Sequence, residues 1–210
     1  TNAGKSTIMN AMTDKRQYEA DELFATLDAT TKQINLADKF NVTLTDTVGF
    51  IQNLPTELIS AFKSTLEESM NVDLLLHVID ASDPNHSEQE QVVLDILKDL
   101  DMLDIPRLAL YNKLDKTDDS FTPSQFPHVM LSAKDENAKG HIQMMVLAKI
   151  KTMFERFEVR VPLAESYKLH DLATLALIEN RTYEEDVEVV SGYIASAKKW
   201  KLEEFYDGLS

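Results

Sequence analysis

A chain of 210 residues, 43% hydrophobic and 27% charged, has the make-up of an ordinary soluble globular protein of one domain and a remainder. Its formal net charge of −15 repels phosphate backbones, which excludes a general nucleic-acid binder and DNA as a partner, and leaves any RNA contact local or supplied by another domain. The absence of cysteine excludes disulfides, thiolate zinc sites and thiol nucleophiles, and the longest apolar run, residues 74–79, is strand-sized against the roughly 18 residues of a membrane span.

The sequence opens on Thr1-Asn2-Ala3-Gly4-Lys5-Ser6-Thr7, without an initiator Met or a signal-peptide pattern. Gly4-Lys5-Ser6 is the second half of the G-x-x-x-x-G-K-[ST] phosphate loop. The first glycine of that motif would fall two residues before Thr1, with its feeding strand earlier still, so the sequence is expected to begin inside a motif. Ile8, Met9, Ala11 and Met12 then recur at helical spacing. Residues 18–31 are polar and without period, a loop. Residues 33–36 and 42–46 read as short strands, and Leu54-Pro55-Thr56 opens a helix with Leu58, Phe62 and Leu66 on one stripe. A buried strand over 72–79 ends at Asp80, a helix spans 84–103, a second buried strand 107–111, a short one 128–131, and an amphipathic helix 140–154. Strands alternating with helices at this spacing predict a three-layer α/β domain with a mostly parallel sheet. The pattern changes near Phe157. Beyond it, strands are expected at 157–161 and 187–190 and helices at 164–178 and 198–206. The predicted organisation is a first domain over 1–156, lacking its first strand, and a small α/β domain over 157–210.

Four segments, in order and each at the C-terminal end of a predicted element or strand, carry the chemistry. In the phosphate loop, successive backbone N–H groups and a helix N-terminus surround phosphate oxygens, with Asn2, Ala3, Gly4 and Thr7 in the cradle; Lys5 adds a charge at the β- and γ-phosphates, and the Ser6 hydroxyl ligates Mg²⁺. Asp46-Thr47-Val48-Gly49 ends a strand: the Asp46 carboxylate can reach the metal through water, and the Gly49 N–H can approach the γ-phosphate because no Cβ intervenes. Asn112-Lys113-Leu114-Asp115 follows the second buried strand. A carboxylate there accepts bidentate hydrogen bonds from the N1–H and 2-amino group of guanine, an edge adenine lacks. Ser132-Ala133-Lys134 follows the last strand, where a backbone N–H can meet guanine O6. The crevice rule for open α/β sheets places ligands at these strand ends. A guanine-nucleotide site, taking GTP or GDP, is the expectation.

These segments match the motifs of translation-factor-like P-loop GTPases. The local text Thr1 to Thr7, Ala20-Asp21-Glu22-Leu23-Phe24-Ala25-Thr26-Leu27-Asp28, Asp46-Thr47-Val48-Gly49-Phe50-Ile51 and Leu74-Leu75-Leu76-His77-Val78-Ile79-Asp80 resembles HflX, the ribosome-associated GTPases, strongly over residues 1 to about 150 and faintly beyond. HflX proteins carry an N-terminal domain that this sequence does not include. The resemblance implies Mg²⁺-dependent hydrolysis of GTP, switch loops at 20–31 and from 46 to roughly 65, and Thr26 as the switch threonine that joins Ser6 and Asp46 at the metal. It also implies the large ribosomal subunit as partner, a role in ribosome dissociation or rescue under stress, and a cytoplasmic location with part of the protein at the membrane periphery. Lys5, Thr26, Gly49 and Asn2 are then the residues nearest the reaction. Asn2 stands where related GTPases use an asparagine to hold a monovalent cation, so K⁺ beside the phosphates would supply the charge of an arginine finger; an asparagine is also a common turn residue. Phe50 stands where many GTPases place the glutamine that orients the attacking water. Phenylalanine cannot hydrogen-bond water, which leaves two readings open: hydrolysis with water positioned by other groups, or a GTP-binding regulatory module with negligible hydrolysis of its own. An ATP-using P-loop kinase is a third, opposed by Asn112 and Asp115.

Other residues take bland readings. His77 reads as a core histidine, and His86 and His170 have no partners at metal spacing. Met144 and Met145 read as core. Lys198-Lys199-Trp200-Lys201 reads as a helix laying Trp200 on the core with its lysines in water, ahead of the alternative of a small basic-aromatic contact patch.

Overall fold

A computed structural model describes residues 2–13, 30–46, 72–118 and 120–206. The chain divides into two units, one of residues 1–32 and 43–143, the other of 33–42 and 144–210.

The first unit is built on a parallel three-stranded sheet, β3 (Leu75–Asp80), β4 (Arg107–Asn112) and β5 (His128–Met130), in the order β3-β4-β5. Central β4 is buried from Leu108 through Asn112, as a parallel strand covered on both faces must be. The strand expected over 72–79 begins three residues later, and most of its side chains are half-buried because β3 has a described strand neighbour on one side only.

Helix α1 (Lys5–Thr13) buries Ile8, Met9 and Met12. Helix α2 (His86–Asp99) crosses from β3 to β4 and stops four residues before its expected end. The stop is a Schellman turn: Met102 N–H reaches Leu97 O at 2.8 Å, Asp101 N–H reaches Lys98 O at 3.1 Å, and Asp101 takes the left-handed conformation at φ 55°. The hydrophobic contact that accompanies this motif is present, with Leu97, Leu100 and Met102 clustered against Val93, Ile96 and Ile105.

Helix α3 (Ala138–Met153) buries Ala138, Ile142, Val146 and Ile150, one residue every four. Met144, halfway between two of these, therefore faces outward and is 60% exposed, against the expected core position.

In the second unit β6 (Glu155–Pro162), β8 (Val187–Ile194) and β7 (Leu177–Glu184) form an antiparallel sheet with β8 central. Along β6, Phe157, Val159 and Val161 are buried while Glu158 and Arg160 face solvent, the period of a half-buried strand. Residues 164–178, expected as one helix, are a 3₁₀ turn (Leu163–Lys168), the short helix α4 (Leu169–Leu175) and the start of β7. Strand β7 escapes sequence reading because it is a polar edge strand, exposed along most of its length. At its bulge between Ile178 and Asn180 the partner strand needs Gly192, where a Cβ would lie 2.1 Å from Leu177 O.

The C-terminal turn (Ser196–Leu202) is 3₁₀ and runs into α5 (Glu203–Tyr206). Leu202, closing the 3₁₀ turn, and Phe205, on α5, enter the core with Leu172 and Val190, while Trp200, two residues before Leu202, turns outward at 61% exposure, opposite to its expected role.

Strands β1 (Thr30–Ala37) and β2 (Phe40–Asp46) form a hairpin. Its tip belongs to the second unit, where Phe40 meets the Phe154 ring edge-on at 6.3 Å and Lys39 Nζ lies 2.8 Å from His170 Nδ1.

Candidate functional site

The phosphate-loop segment leads into α1 through two left-handed residues, Asn2 at φ 65° and Gly4 at φ 92°. Ile8 N–H closes on Gly4 O at 3.0 Å, so the free N–H groups at the helix start follow directly on the loop. Lys5 and Thr7 are half-buried, and Asn2 and Ser6 exposed. Gly4 has a second constraint: a Cβ there would stand 2.2 Å from Asn112 Nδ2.

Asn112, 3% exposed at the end of β4, is the hub. Its Nδ2 donates to Ala3 O at 2.8 Å, across 109 residues of sequence, and its Oδ1 accepts from Ala133 N–H at 2.8 Å. One side-chain amide thus joins the phosphate loop to the Ser132-Ala133-Lys134 loop. Lys113 follows in the left-handed region at φ 64°, which turns the chain out of the strand and into a 3₁₀ turn (Leu114–Lys116) carrying Asp115 on its exposed side. Asp115 accepts a hydrogen bond from Ser132, which, with the nearby Lys134 and Lys116 charges, holds its carboxyl below the ordinary aspartate range. Leu114 N–H to Leu131 O at 3.2 Å ties the two loops again through the backbone.

Asp80, at the end of β3, belongs to the same strand-end cluster, and sequence reading assigned it no role. Its Oδ2 accepts from Lys113 Nζ at 2.6 Å and its Oδ1 from Ser82 N and Oγ at 3.0 and 2.6 Å. Its signal was its position at a strand's C-terminal end beside the Asn112 strand. Burial works to raise the Asp80 pKa, but hydrogen bonds from Lys113 and Ser82 outweigh it and leave it lowered. A lowered folded-state pKa contributes stability above the unfolded value, near 4, that is lost as pH falls through the folded one. Asp80→Asn should therefore remove part of the acid-side slope of thermal stability below about pH 4; melting curves between neutral pH and strong acid with unchanged slope would refute this.

Asp46 ends β2, half-buried. Thr26 and Gly49, with Phe50 and most of both expected switch loops, lie outside the described residues. His77 is half-buried in β3: burial lowers its pKa, and its Nδ1 meets the Gln125 amide at 3.3 Å. Among the described residues no cluster of three metal-ligating side chains occurs, and no helix is long and apolar enough to cross a membrane. The side chains of Ser6 and Asp46 carry hard oxygen donors, the donor type that suits Mg²⁺.

A Gly-Lys-Ser loop at a helix start, tied by a buried asparagine to an Asn-Lys-x-Asp turn at a strand's end, is the layout of a P-loop GTPase. Residues 1–113 match the family model of the 50S ribosome-binding GTPase, and the chain belongs to that family. Among its relatives are GTPase HflX proteins. That of Alkalihalophilus pseudofirmus is 38% identical over 92% of this chain and 46% of its own length, and that of Escherichia coli 38% over 90% and 46%. The chain thus spans about half the length of the curated relatives it matches. A solved GTP-binding protein from Sulfolobus solfataricus, in complex with GDP, superposes with a TM-score of 0.56 at 25% identity, over 71% of this chain and 49% of that one.

Proposed function

We propose that this chain is the catalytic part of an HflX-type switch that hydrolyses GTP to GDP and phosphate, with residues 1–156 as its G domain and 157–210 as a small appended domain. The reading rests above all on the Asn112 amide, which spans from Ala3 to Ala133 and so holds phosphate-binding and base-reading backbone at one place. Asn2 to Thr7 cradle the phosphates, with Lys5 at the β- and γ-oxygens. Ser6, Asp46 and Thr26 hold Mg²⁺, which when bound neutralises charge on the transferring phosphoryl group. Gly49 donates its N–H to the γ-phosphate, so that residues 46 to about 65 follow the nucleotide state. Asn112, Lys113, Asp115 and the Ser132-Ala133-Lys134 loop form the guanine pocket. The GDP complex of the Sulfolobus protein and the family's name support the nucleotide. The family's name likewise supports the large ribosomal subunit as partner. Ribosome dissociation or rescue under stress is the role this reading gives the switch.

The guanine reading is tested at Asp115. Asp115→Asn should weaken GTP binding by about ten- to a hundredfold, the roughly 1–3 kcal/mol of a bidentate base contact, and shift preference to xanthosine triphosphate, whose 2-oxo group accepts from the new amide. Asp115 is exposed, so the substitution leaves the fold intact. Undiminished GTP affinity in competition binding would remove the base-reading role.

A further inference from the structure

Under the sheet of the first unit lies a charged side chain that the proposed chemistry does not use. Glu90, on α2, is 4% exposed. Its Oε2 accepts three hydrogen bonds, from Tyr111 Oη at 3.2 Å, Gln125 Nε2 at 2.9 Å and Ser124 Oγ, while its Oε1 is buried with no hydrogen-bond partner. All three donors are neutral groups. An apolar residue would fill such a position at lower cost than a half-satisfied carboxylate, so the group is best explained by what it holds in place.

The Tyr111 hydroxyl, besides donating to Glu90, accepts from the backbone N–H groups of Ser124 and Gln125, both at 3.0 Å. Tyr111 is fully buried on β4, immediately before Asn112. Its own carbonyl accepts Leu131 N–H at 2.9 Å, one residue before Ser132. A single side chain therefore pins the middle of the segment that runs from Asp115 to β5, and its backbone receives the residue that leads out of β5. That second tether matters because β5 pairs with β4 through only Ala109–His128, Leu110–Val129 and Tyr111–Met130. A slip of one residue along such a short ladder moves the following loop by about 3.3 Å, more than a hydrogen bond to a base tolerates.

We infer that Glu90, acting through the Tyr111 hydroxyl, is a positioning residue for guanine recognition: it clamps the 124–125 backbone beside the end of β4 and so sets the spacing between the Asp115 carboxylate and the Ser132–Lys134 backbone. This rests on the base-reading role proposed for Asp115.

The experiment compares GDP with IDP, which lacks the 2-amino group, as competing ligands of the full-length protein, alongside thermal melts. Tyr111→Phe removes the hydroxyl but keeps the ring packed on Phe121 and His128. It should lower the preference for GDP over IDP by about tenfold, the worth of roughly one well-placed hydrogen bond. Glu90→Leu should do the same, whereas Glu90→Gln, which retains an acceptor oxygen for the three donors, should stay within about twofold of the parent. If Glu90→Leu fails to fold, Tyr111→Phe carries the test alone. A lowered melting point with an unchanged GDP-to-IDP preference in Tyr111→Phe would reduce the network to simple stability and overturn the inference. Asp115→Ala separates the two layers: it should erase the preference, and a preference that survives it would overturn the base-reading role and the positioning role together.

Discussion

Asn112→Ala should cost nearly all useful affinity for nucleotide. The amide is buried and makes two hydrogen bonds to backbone groups of two different loops, Ala3 O and Ala133 N–H, both at 2.8 Å. Truncation leaves both partners half-buried and unsatisfied, at about 1–3 kcal/mol each for a fully buried group, and opens space against Gly4. Discounted for partial exposure, the loss is about 2–4 kcal/mol, or roughly 30- to 1,000-fold in affinity for GDP and GTP alike. Both nucleotides should be hit equally, because in the proposed site the contact supports the cradle common to both and not the γ-phosphate. Asn112→Asp is the sharper control. It keeps the acceptor for Ala133 N–H but faces Ala3 O with a second acceptor, so it should sever the phosphate-loop tie alone and still weaken binding. Titration of a fluorescent GDP would decide the matter, and affinity within about threefold of the parent would contradict the bridging role.

Hydrolysis should be slow in isolation and accelerated by large ribosomal subunits. Phe50 offers the attacking water no hydrogen bond, so in-line geometry has to come from other groups. Phosphoryl transfer is governed by positioning and charge stabilisation, and a group supplied in trans raises such rates by roughly 10³–10⁵. If Asn2 holds a monovalent cation beside the phosphates, K⁺ should outperform Na⁺, and Asn2→Ala should erase that difference while GTP still binds. Asn2 already stands exposed and left-handed at the loop that leads into α1. Phe50→Gln should gain little, and fast basal turnover in that variant would make the missing side chain the whole explanation. Single-turnover rates with and without ribosomal subunits, in each cation, test all of this; brisk basal turnover indifferent to both would refute it.

The parts of the fold that could be read directly were those where local pattern and tertiary environment agree. The unbroken apolar run 108–111 has no polar face to alternate with, which means burial on both sides and a parallel strand, and β4 is that strand. The alternation Phe157, Val159, Val161 likewise identified β6. Reading failed where the two diverge. Strand β7 has the composition of a loop or helix surface because neither of its faces is well covered. Met144 and Trp200 looked like core by side-chain type, but the phase of the helix or 3₁₀ turn they sit on, set by Ile142 and Val146 in one case and Leu202 and Phe205 in the other, points them outward.

The sequence by itself determined the class of ligand and the order of the motifs: Gly4-Lys5-Ser6, Asp46 to Gly49, Asn112 to Asp115 and Ser132 to Lys134 are short runs whose chemistry depends on neighbours one to three residues away. Family and α/β class follow from them and from the strand pattern. Only the tertiary structure decided which groups meet. That Asn112 serves Ala3 and Ala133, that Lys113 closes on Asp80, and that Glu90 carries Tyr111, Ser124 and Gln125 are contacts over 21 to 109 residues of chain. No local propensity encodes them. A hydrogen bond depends on position to within a few tenths of an ångström, and for groups so distant in sequence that position is set by how the sheet's strands register and where their ends fall.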